Sequence, residues 1–501
     1  MKLQFSKRYN LIAAVMLASL GMTSCNDWLD VRPDTEQKEA DQFSTEKGFQ
    51  TALTGCYIEM VSEDAYGTRM TLTNVENLAN LWVIDKLTTK KDDYELSQHE
   101  YDGDNAKSGI KSLYTSLFKT ITQANLIIKN AALHPDAFTT EGMKEIVTGE
   151  AHAIRAYCQL DILRLFGQMP QGGEKQVRLP YSEATTIDEI PPYYSFADYA
   201  AKLKQDIEMA ETLLKDHDPA TKLAFSDMFY TKDTGVTNDF LINRQMRLNY
   251  WAVRALHARM ALYTGDKQTA RAIAKELISA KLPDGTAVRP LSGTADFQKG
   301  YLACPNECFF SLSKYNIKNV AAAIFTLNDD NARYRSSNQV LSTKMLGELF
   351  AGENTEAHNR YNNLWNQRLL NQSAKMWCGF RRYSFADDTQ YQSLYYQIMP
   401  MLRTSEIYLI AIETSDDLAE VNSLYQEYML SHNVIAAAGF ASLDDVKTWI
   451  VNEYRREFYG EGQMFYTYKR LGAKDMLWSP VPVSENTYII PLPESEYDPN
   501  M

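Results

Sequence analysis

The sequence predicts a mainly α-helical fold, a tetratricopeptide-like scaffold of helical repeats that carries one long irregular insertion with short strands. Three observations predict it. Apolar residues recur at helical spacing through most of the first half of the chain and again after about residue 400. The stretch "LNYWAVRALHARMALYTGDKQTARAIAKELI" has the form of a tetratricopeptide hairpin: small Ala258 where two helices cross, Gly265 and Asp266 in the turn, Ala270 and Ala274 along the second helix. Between about Leu282 and Pro400 the period weakens while Gly, Pro, Asn and aromatic residues accumulate, as in "CPNECFFSLSKYN" and "MWCGFRRYSF".

The chain opens on Lys2, Lys7 and Arg8, followed by the apolar run Leu11 to Met22, Thr23, Ser24 and Cys25. A positive stretch, a short apolar run and small residues before a cut are the parts of a secretory signal, and the run is too short for the roughly 20 residues that span a bilayer. Residues 1–24 read as a lipoprotein signal peptide, with Cys25 the lipid-bearing first residue of the mature chain. Several acyl chains on one cysteine hold firmly, because each buried methylene contributes about 0.8 kcal/mol. Residues 25–40 read as a polar lipidated spacer, and residues 41–501 as the helical domain.

The first amphipathic helix is expected in "DQFSTEKGFQTALTGCYIEMV", where Phe49, Leu53, Cys56 and Met60 share a face and Ser44 or Thr45 can cap it. Further helices are expected in "IKSLYTSLFKTITQANLIIKNAAL", in "MKEIVTGEAHAIRAYCQLDILRLFG", stopped by Gly167 and Pro170, and in "FADYAAKLKQDIEMAETLLK". After the insertion, helix returns at "MLRTSEIYLIAIET", "EVNSLYQEYMLSHN" and "LDDVKTWIVNEYRREFYGEG". An irregular segment of such length on a helical scaffold is where function concentrates.

Composition narrows the function. With 501 residues, 45% hydrophobic and 23% charged, the chain can bury a large core. Its formal charge of −13 falls to −16 without residues 1–24, which hold three basic and no acidic side chains. That argues against nucleic acid, whose phosphates need clustered Lys and Arg. Six cysteines do not make a disulfide framework, although Cys304 and Cys308 could close a small disulfide or join a metal site. The seven histidines never fall within four residues of one another, and no GxSxG, Walker or Rossmann motif is present. No cofactor, no metal site and no catalytic residue is expected.

Several blocks, in this order, resemble the SusD/RagB nutrient-binding lipoproteins of Bacteroidetes outer membranes: "CNDWLDVRP"; "YTSLFKTITQANLII", with Tyr114 where Trp is usual; "GEAHAIRAYCQLDILRLFGQMP"; Arg403 and Glu406 in "LRTSEIYLIAIE"; Arg455, Arg456, Glu457, Glu461, Lys469 and Arg470 in "EYRREFYGEGQMFYTYKRLG"; and "YIIPLPESEYDPN". The resemblance implies a cell-surface lipoprotein that captures an oligosaccharide and delivers it to a partner SusC-like TonB-dependent outer-membrane transporter. A RagB-like peptide binder and a tetratricopeptide-type protein-interaction scaffold are the alternatives, and a glycoside hydrolase is disfavoured. Arg403 with Glu406, and Glu453 with Arg456 and Glu457, read as ion pairs on helix surfaces or partly buried.

A binder of sugars needs flat aromatic faces for C–H surfaces and polar rims for hydroxyls. With 31 Tyr and 7 Trp, the chain has aromatic residues to spare for exposed positions. The candidates are Trp82 with Asn77 and Asn80 in the early loop, and Tyr315, Arg333, Tyr334, Trp365 and Trp377 in the insertion. For each the competing reading is a core residue, since aromatics mostly bury.

Overall fold

A computed structural model of the chain describes residues 34–84, 86, 88–186, 189–224, 236, 238–325, 339–369, 376–385, 395–434 and 439–496. The signal segment and Cys25 lie outside the described residues. In chain order the helices of the first half are α1 (Asp34–Gln42), α2 (Glu46–Met60), α3 (Asn74–Leu78), α4 (Lys91–Ser97), α5 (Asp104–Leu133), α6 (Met143–Phe166), α7 (Phe196–Leu214), α8 (Tyr250–Thr264) and α9 (Lys267–Ser279). The short strands β1 (Leu179–Pro180) and β2 (Tyr193–Tyr194) pair between α6 and α7. Helix α1 spans the expected boundary between spacer and domain at Asp41.

Local chemistry explains the boundaries. The Thr45 hydroxyl accepts from the Gly48 N–H at 3.2 Å and so caps α2, as one of the two expected caps. Gly265 closes α8 at φ +89°, a left-handed conformation that costs glycine little, and the next residue, Asp266, caps α9 by accepting from Thr269 N at 3.0 Å. Two residues thus turn the chain back on itself, and Ala258, Ala270 and Ala274 are fully buried along the hairpin. The tetratricopeptide pattern is real as a helical hairpin.

Each of these helices packs on the next: α2 on α5, α5 on α6, α6 on α7, α7 on α8 and α8 on α9. Helix α6 is buried on nearly every side, which its weak amphipathicity in sequence reflects. A Cβ on its Gly149 would stand 2.8 Å from Leu214 Cγ, so α6 and α7 approach as closely as they do because that residue has no side chain.

The insertion follows, with α10 (Thr294–Gln298), β3 (Cys308–Ser313), α11 (Ile317–Phe325), β4 (Leu341–Ser342), α12 (Thr343–Leu349), α13 (Asn359–Leu364), β5 (Trp365–Leu369), β6 (Met376–Phe380) and β7 (Ile398–Arg403). Strands β3 and β7 form one antiparallel ribbon, and β4, β6 and β5 form another sheet in that order. "MLR", expected to open a helix, ends β7, and the helix α14 (Thr404–Thr414) starts after it. Helix α14 docks directly on α9, so the scaffold closes across the insertion as though it were a loop. Helices α15 (Leu418–Ser431), α16 (Leu443–Glu457), α17 (Met464–Leu471) and α18 (Glu485–Tyr488) complete the chain. One continuous core runs from Phe43 to Leu492. Cys304 and Cys308 are buried free thiols, with Cys308 Sγ donating to the Cys304 carbonyl at 3.3 Å, so the small disulfide is not formed. No helix among the described residues is long and apolar enough to cross a membrane.

Candidate functional site

The insertion is fastened to the scaffold by buried charge. Arg403, at the end of β7, reaches Glu307 at 2.6 Å, Glu457 at 2.6 Å and Glu461 at 2.8 Å. Arg360 of α13 reaches Glu453 at 2.5 Å and Glu457 at 2.6 Å, and Arg456 joins Glu353 and Glu453, each at 2.8 Å. Of the expected ion pairs, Arg456 with Glu453 exists, but it lies in the core rather than on a helix surface. Glu406 pairs not with Arg403 but with Arg259, Nε to Oε1 at 2.7 Å. Burial pushes the Glu453 carboxyl up, and Arg360 and Arg456 outweigh it, holding it down at about 2. His432, Glu453 and Glu457 bring ligand atoms within 4.8 Å of one another, a metal-like geometry. Their carboxylates are already spent on Arg360, Arg403 and the Tyr428 hydroxyl, and two guanidinium charges repel a cation from that spot. The cluster is a clamp.

Trp82 and Trp365, expected as sugar platforms, are core residues at 6% and 5% exposure. Trp82 stacks on Phe325 at 5.0 Å and meets Trp365, Phe380 and Tyr459, so the early loop and the insertion share one aromatic knot. The two asparagines are also buried: Asn77 donates to Gln339 at 3.2 Å, and Asn80, at φ +56°, donates to the Ser97 carbonyl at 2.6 Å. The Trp82 Nε1–H donates to Glu76, which also accepts from the N–H groups of Gly460 and Gly462. Burial raises the Glu76 carboxyl to about 7 against those three donors. A raised carboxyl is what a glycosidase acid needs, but Glu76 is fully buried and its oxygens are occupied. Trp377 is half-buried on β6, opposite Arg368 and Ser342. Arg333 and Tyr334 lie outside the described residues.

Tyr315 is 73% exposed and stands just past the end of β3. At that same end of the ribbon the structure gathers an aromatic patch the sequence reading missed. Lys314 N–H donates to the Gln397 carbonyl at 2.7 Å, extending the pairing of Ser313 with Ile398 toward Tyr315 on one side and Tyr396 on the other. Half-buried Tyr301 and Tyr395 stack with centroids 5.0 Å apart and planes within 10°, and Tyr396 meets Tyr301 edge-on at 5.3 Å. The Tyr396 hydroxyl donates to the Lys299 carbonyl at 2.9 Å, and Phe385 packs on Tyr396 at 5.5 Å. Lysine ammonium groups approach the rings, Lys299 at 5.9 Å from Tyr301 and Lys318 at 4.9 Å from Phe385. Tyr301, Tyr395 and Tyr396 are outside the continuous core. The signal in the sequence was the doublet "YY", Tyr395 and Tyr396, one residue before β7.

Residues 27–226 match the profile of a SusD-like family described as starch-binding and associating with the outer membrane. SusD-like protein P2 of Formosa agariphila is 27% identical over 184 residues, 37% of this chain and 34% of that relative. The chain therefore aligns with about a third of the curated relative it matches. Across the whole fold, a SusD superfamily protein from Bacteroides thetaiotaomicron superimposes with TM-score 0.70 at 18% identity, covering 91% of this chain and 98% of the other. Residues 27–226 are similar to the SusD-like family, and the whole chain has the fold of the solved SusD superfamily structures. Surface glycan-binding protein A from Bacteroides uniformis matches this chain with TM-score 0.66 at 16% identity, covering 91% and 99%. A laminarin-binding SusD-like protein matches with TM-score 0.63 at 14%, covering 91% and 97%. The SusD-like fold thus extends over the scaffold and the insertion together.

Proposed function

We propose that the protein binds an oligosaccharide on the aromatic patch at the end of the β3–β7 ribbon and does not cut it. The observation that carries this reading is the stacked, nearly parallel Tyr301/Tyr395 pair, half-exposed and outside the core, with Tyr396 edge-on beside it. Two parallel phenol rings offer a slab for the apolar face of a sugar, and their hydroxyls offer hydrogen bonds to its rim. The glycan-binding and laminarin-binding relatives support the ligand class. The carboxylates that lie close together in the polar core are neutralised by arginines and sealed from solvent, which suits a binder.

Cys25 carries the lipid in this reading, the body sits at the outer membrane, and the captured glycan passes to a SusC-like TonB-dependent transporter. The test is a binding titration of purified residues 26–501 against neutral and acidic oligosaccharides. Affinity in the micromolar to millimolar range is expected, and Tyr301→Ala and Tyr395→Ala should each abolish it while the circular dichroism stays that of wild type. Undiminished binding in both variants would move the site elsewhere, and release of reducing ends by the pure protein would overturn the binder reading.

A further inference from the structure

A small cavity, of about 30 Å³, lies where α6, α8, α14, α16 and α17 meet. Arg164, Arg259 and Arg470 all reach its wall, together with Gln463, Tyr454 and Tyr466. Three guanidinium groups around one void need an explanation. Each has a carboxylate partner: Arg164 holds Asp161, Arg259 holds Glu406 and Arg470 holds Glu413. These pairs account for the charge but not for the donors.

A guanidinium carries five N–H groups. Arg164 commits one from each nitrogen, Nε and Nη2 to Asp161 and Nη1 to Gln463 Oε1 at 2.9 Å, and the second hydrogens of both terminal nitrogens are left over. Arg470 binds Glu413 through Nη1 and Nη2 and keeps its Nε–H. The Tyr466 hydroxyl is buried with no hydrogen-bond partner among the described residues, in a residue only 3% exposed, and Arg164 lies over its ring at 3.8 Å. The acceptors near the wall each receive hydrogen bonds already: Gln463 Oε1 from Arg164, Glu406 from Arg259, Glu413 from Arg470 and from Tyr454. A buried hydroxyl left without a partner costs about 1–3 kcal/mol, so something should fill this place.

The volume exceeds the 10–15 Å³ that one water needs by this measure, and the wall offers donors in excess of acceptors. Water brings two donors that would find few acceptors here, whereas a monatomic anion accepts from every side. We infer that this cavity is a binding site for a small monovalent anion of the halide class, held by Arg164, Arg470 and the Tyr466 hydroxyl at the junction of the scaffold helices. The inference is independent of the glycan reading, because none of these residues belongs to the aromatic patch.

Two experiments on the full chain test it. Crystals grown or soaked in bromide should show an anomalous peak within hydrogen-bond reach of Tyr466 Oη and the two guanidiniums; bromide peaks confined to the surface, or ordered water alone in the cavity, would overturn the inference. At fixed ionic strength, replacing gluconate by chloride should raise the melting temperature by roughly one to two degrees, as expected for a ligand bound only by the folded state. Tyr466→Phe should lose at least half of that shift. Equal melting in the two salts for the wild type counts against the site, and the crystallographic arm stands whether or not the variant folds.

Discussion

Arg403 forks both oxygens of Glu461, Nε to Oε2 at 3.0 Å and Nη2 to Oε1 at 2.8 Å, while Nη1 reaches Glu307 and Glu457. One guanidinium thus ties the end of β7 to the turn before β3 and to the end of α16. Arg403→Met leaves three buried carboxylates short of a partner, with Arg382 still on Glu461 and Arg360 still on Glu457. The expected loss is about 3–5 kcal/mol in urea unfolding at pH 7.5, the usual cost of breaking a buried pair from one side. Unpaired buried carboxyls then take up protons more readily, so the gap to wild type should narrow at pH 5. A gap that is the same at both pH values would show that these groups stay ionised without Arg403.

The rings of His358 and His432 lie 5.8 Å apart and within 18° of parallel in the same buried region. Burial, then Arg360, hold His358 down at about 2, and burial likewise lowers His432. The unfolded chain protonates near 6.5 and the folded one does not, so this stability is complete above pH 6.5 and is lost as pH falls below it toward about 2. Each histidine contributes a slope of up to about 1.4 kcal/mol per pH unit in that window. Between pH 7.5 and 5 the wild type should lose stability relative to His358→Asn as acid is added, with a slope of up to about one proton. An unchanged slope would mean that His358 is protonated in the folded state.

The aromatic residues separate into two classes by burial. Trp82→Ala and Trp365→Ala remove rings from the knot with Phe325, Phe380 and Tyr459, and each should cost about 3–5 kcal/mol of stability. Tyr301→Ala, on the half-exposed patch, should leave stability within about 1 kcal/mol and remove oligosaccharide binding. The reverse pattern in melting and titration experiments would return the site to the tryptophans.

Helix packing gives a sharper steric test. Gly149→Val places side-chain atoms where Leu214 Cγ is 2.8 Å and Leu213 Cβ 3.2 Å from the first added carbon. Overpacking the α6–α7 contact should cost about 1–3 kcal/mol, read as a lower urea midpoint with the slope unchanged. A variant as stable as wild type would mean that α7 shifts freely.

The helices were legible because their signals are local. Thr45 and the Gly265-Asp266 turn announce their ends, and Ala258, Ala270 and Ala274 announce a close crossing in the order of residues alone. The aromatic patch proposed as the site was not legible, since Tyr301 and Tyr395 are 94 positions apart and meet beside the paired strands β3 and β7. Trp82 and Trp365 misled for the same reason. Loop context suggested exposure, whereas partners distant in sequence, Tyr459 among them, bury both rings. Arg403 and Glu406 read as a neighbouring pair on one helix, but a strand ends between them and sends them to different partners.

Glu76 gives the last prediction, because two opposing effects meet on it and only one can win. Its Oε1 accepts from Trp82 Nε1 at 2.9 Å and from Gly460 N at 2.8 Å, and its Oε2 accepts from Gly462 N at 2.9 Å. Three donors favour the carboxylate, while complete burial favours the neutral acid, and burial prevails, setting the group at about 7 against an ordinary value of 4.5. Here the folded state holds the proton longer than the unfolded one. Below pH 4.5 both states are protonated and the group carries no penalty; as pH rises from 4.5 to 7 the wild type loses stability, and above 7 the loss is constant. The span corresponds to about 3 kcal/mol. Glu76→Gln keeps the shape and cannot ionise, so its stability relative to wild type should rise by up to that amount across the same window. Pairs of urea titrations from pH 4.5 to 8 measure it. Movement in the opposite direction, with the wild type gaining on the variant as pH rises, would show that the glycine and tryptophan N–H groups outweigh burial and that Glu76 is a carboxylate throughout.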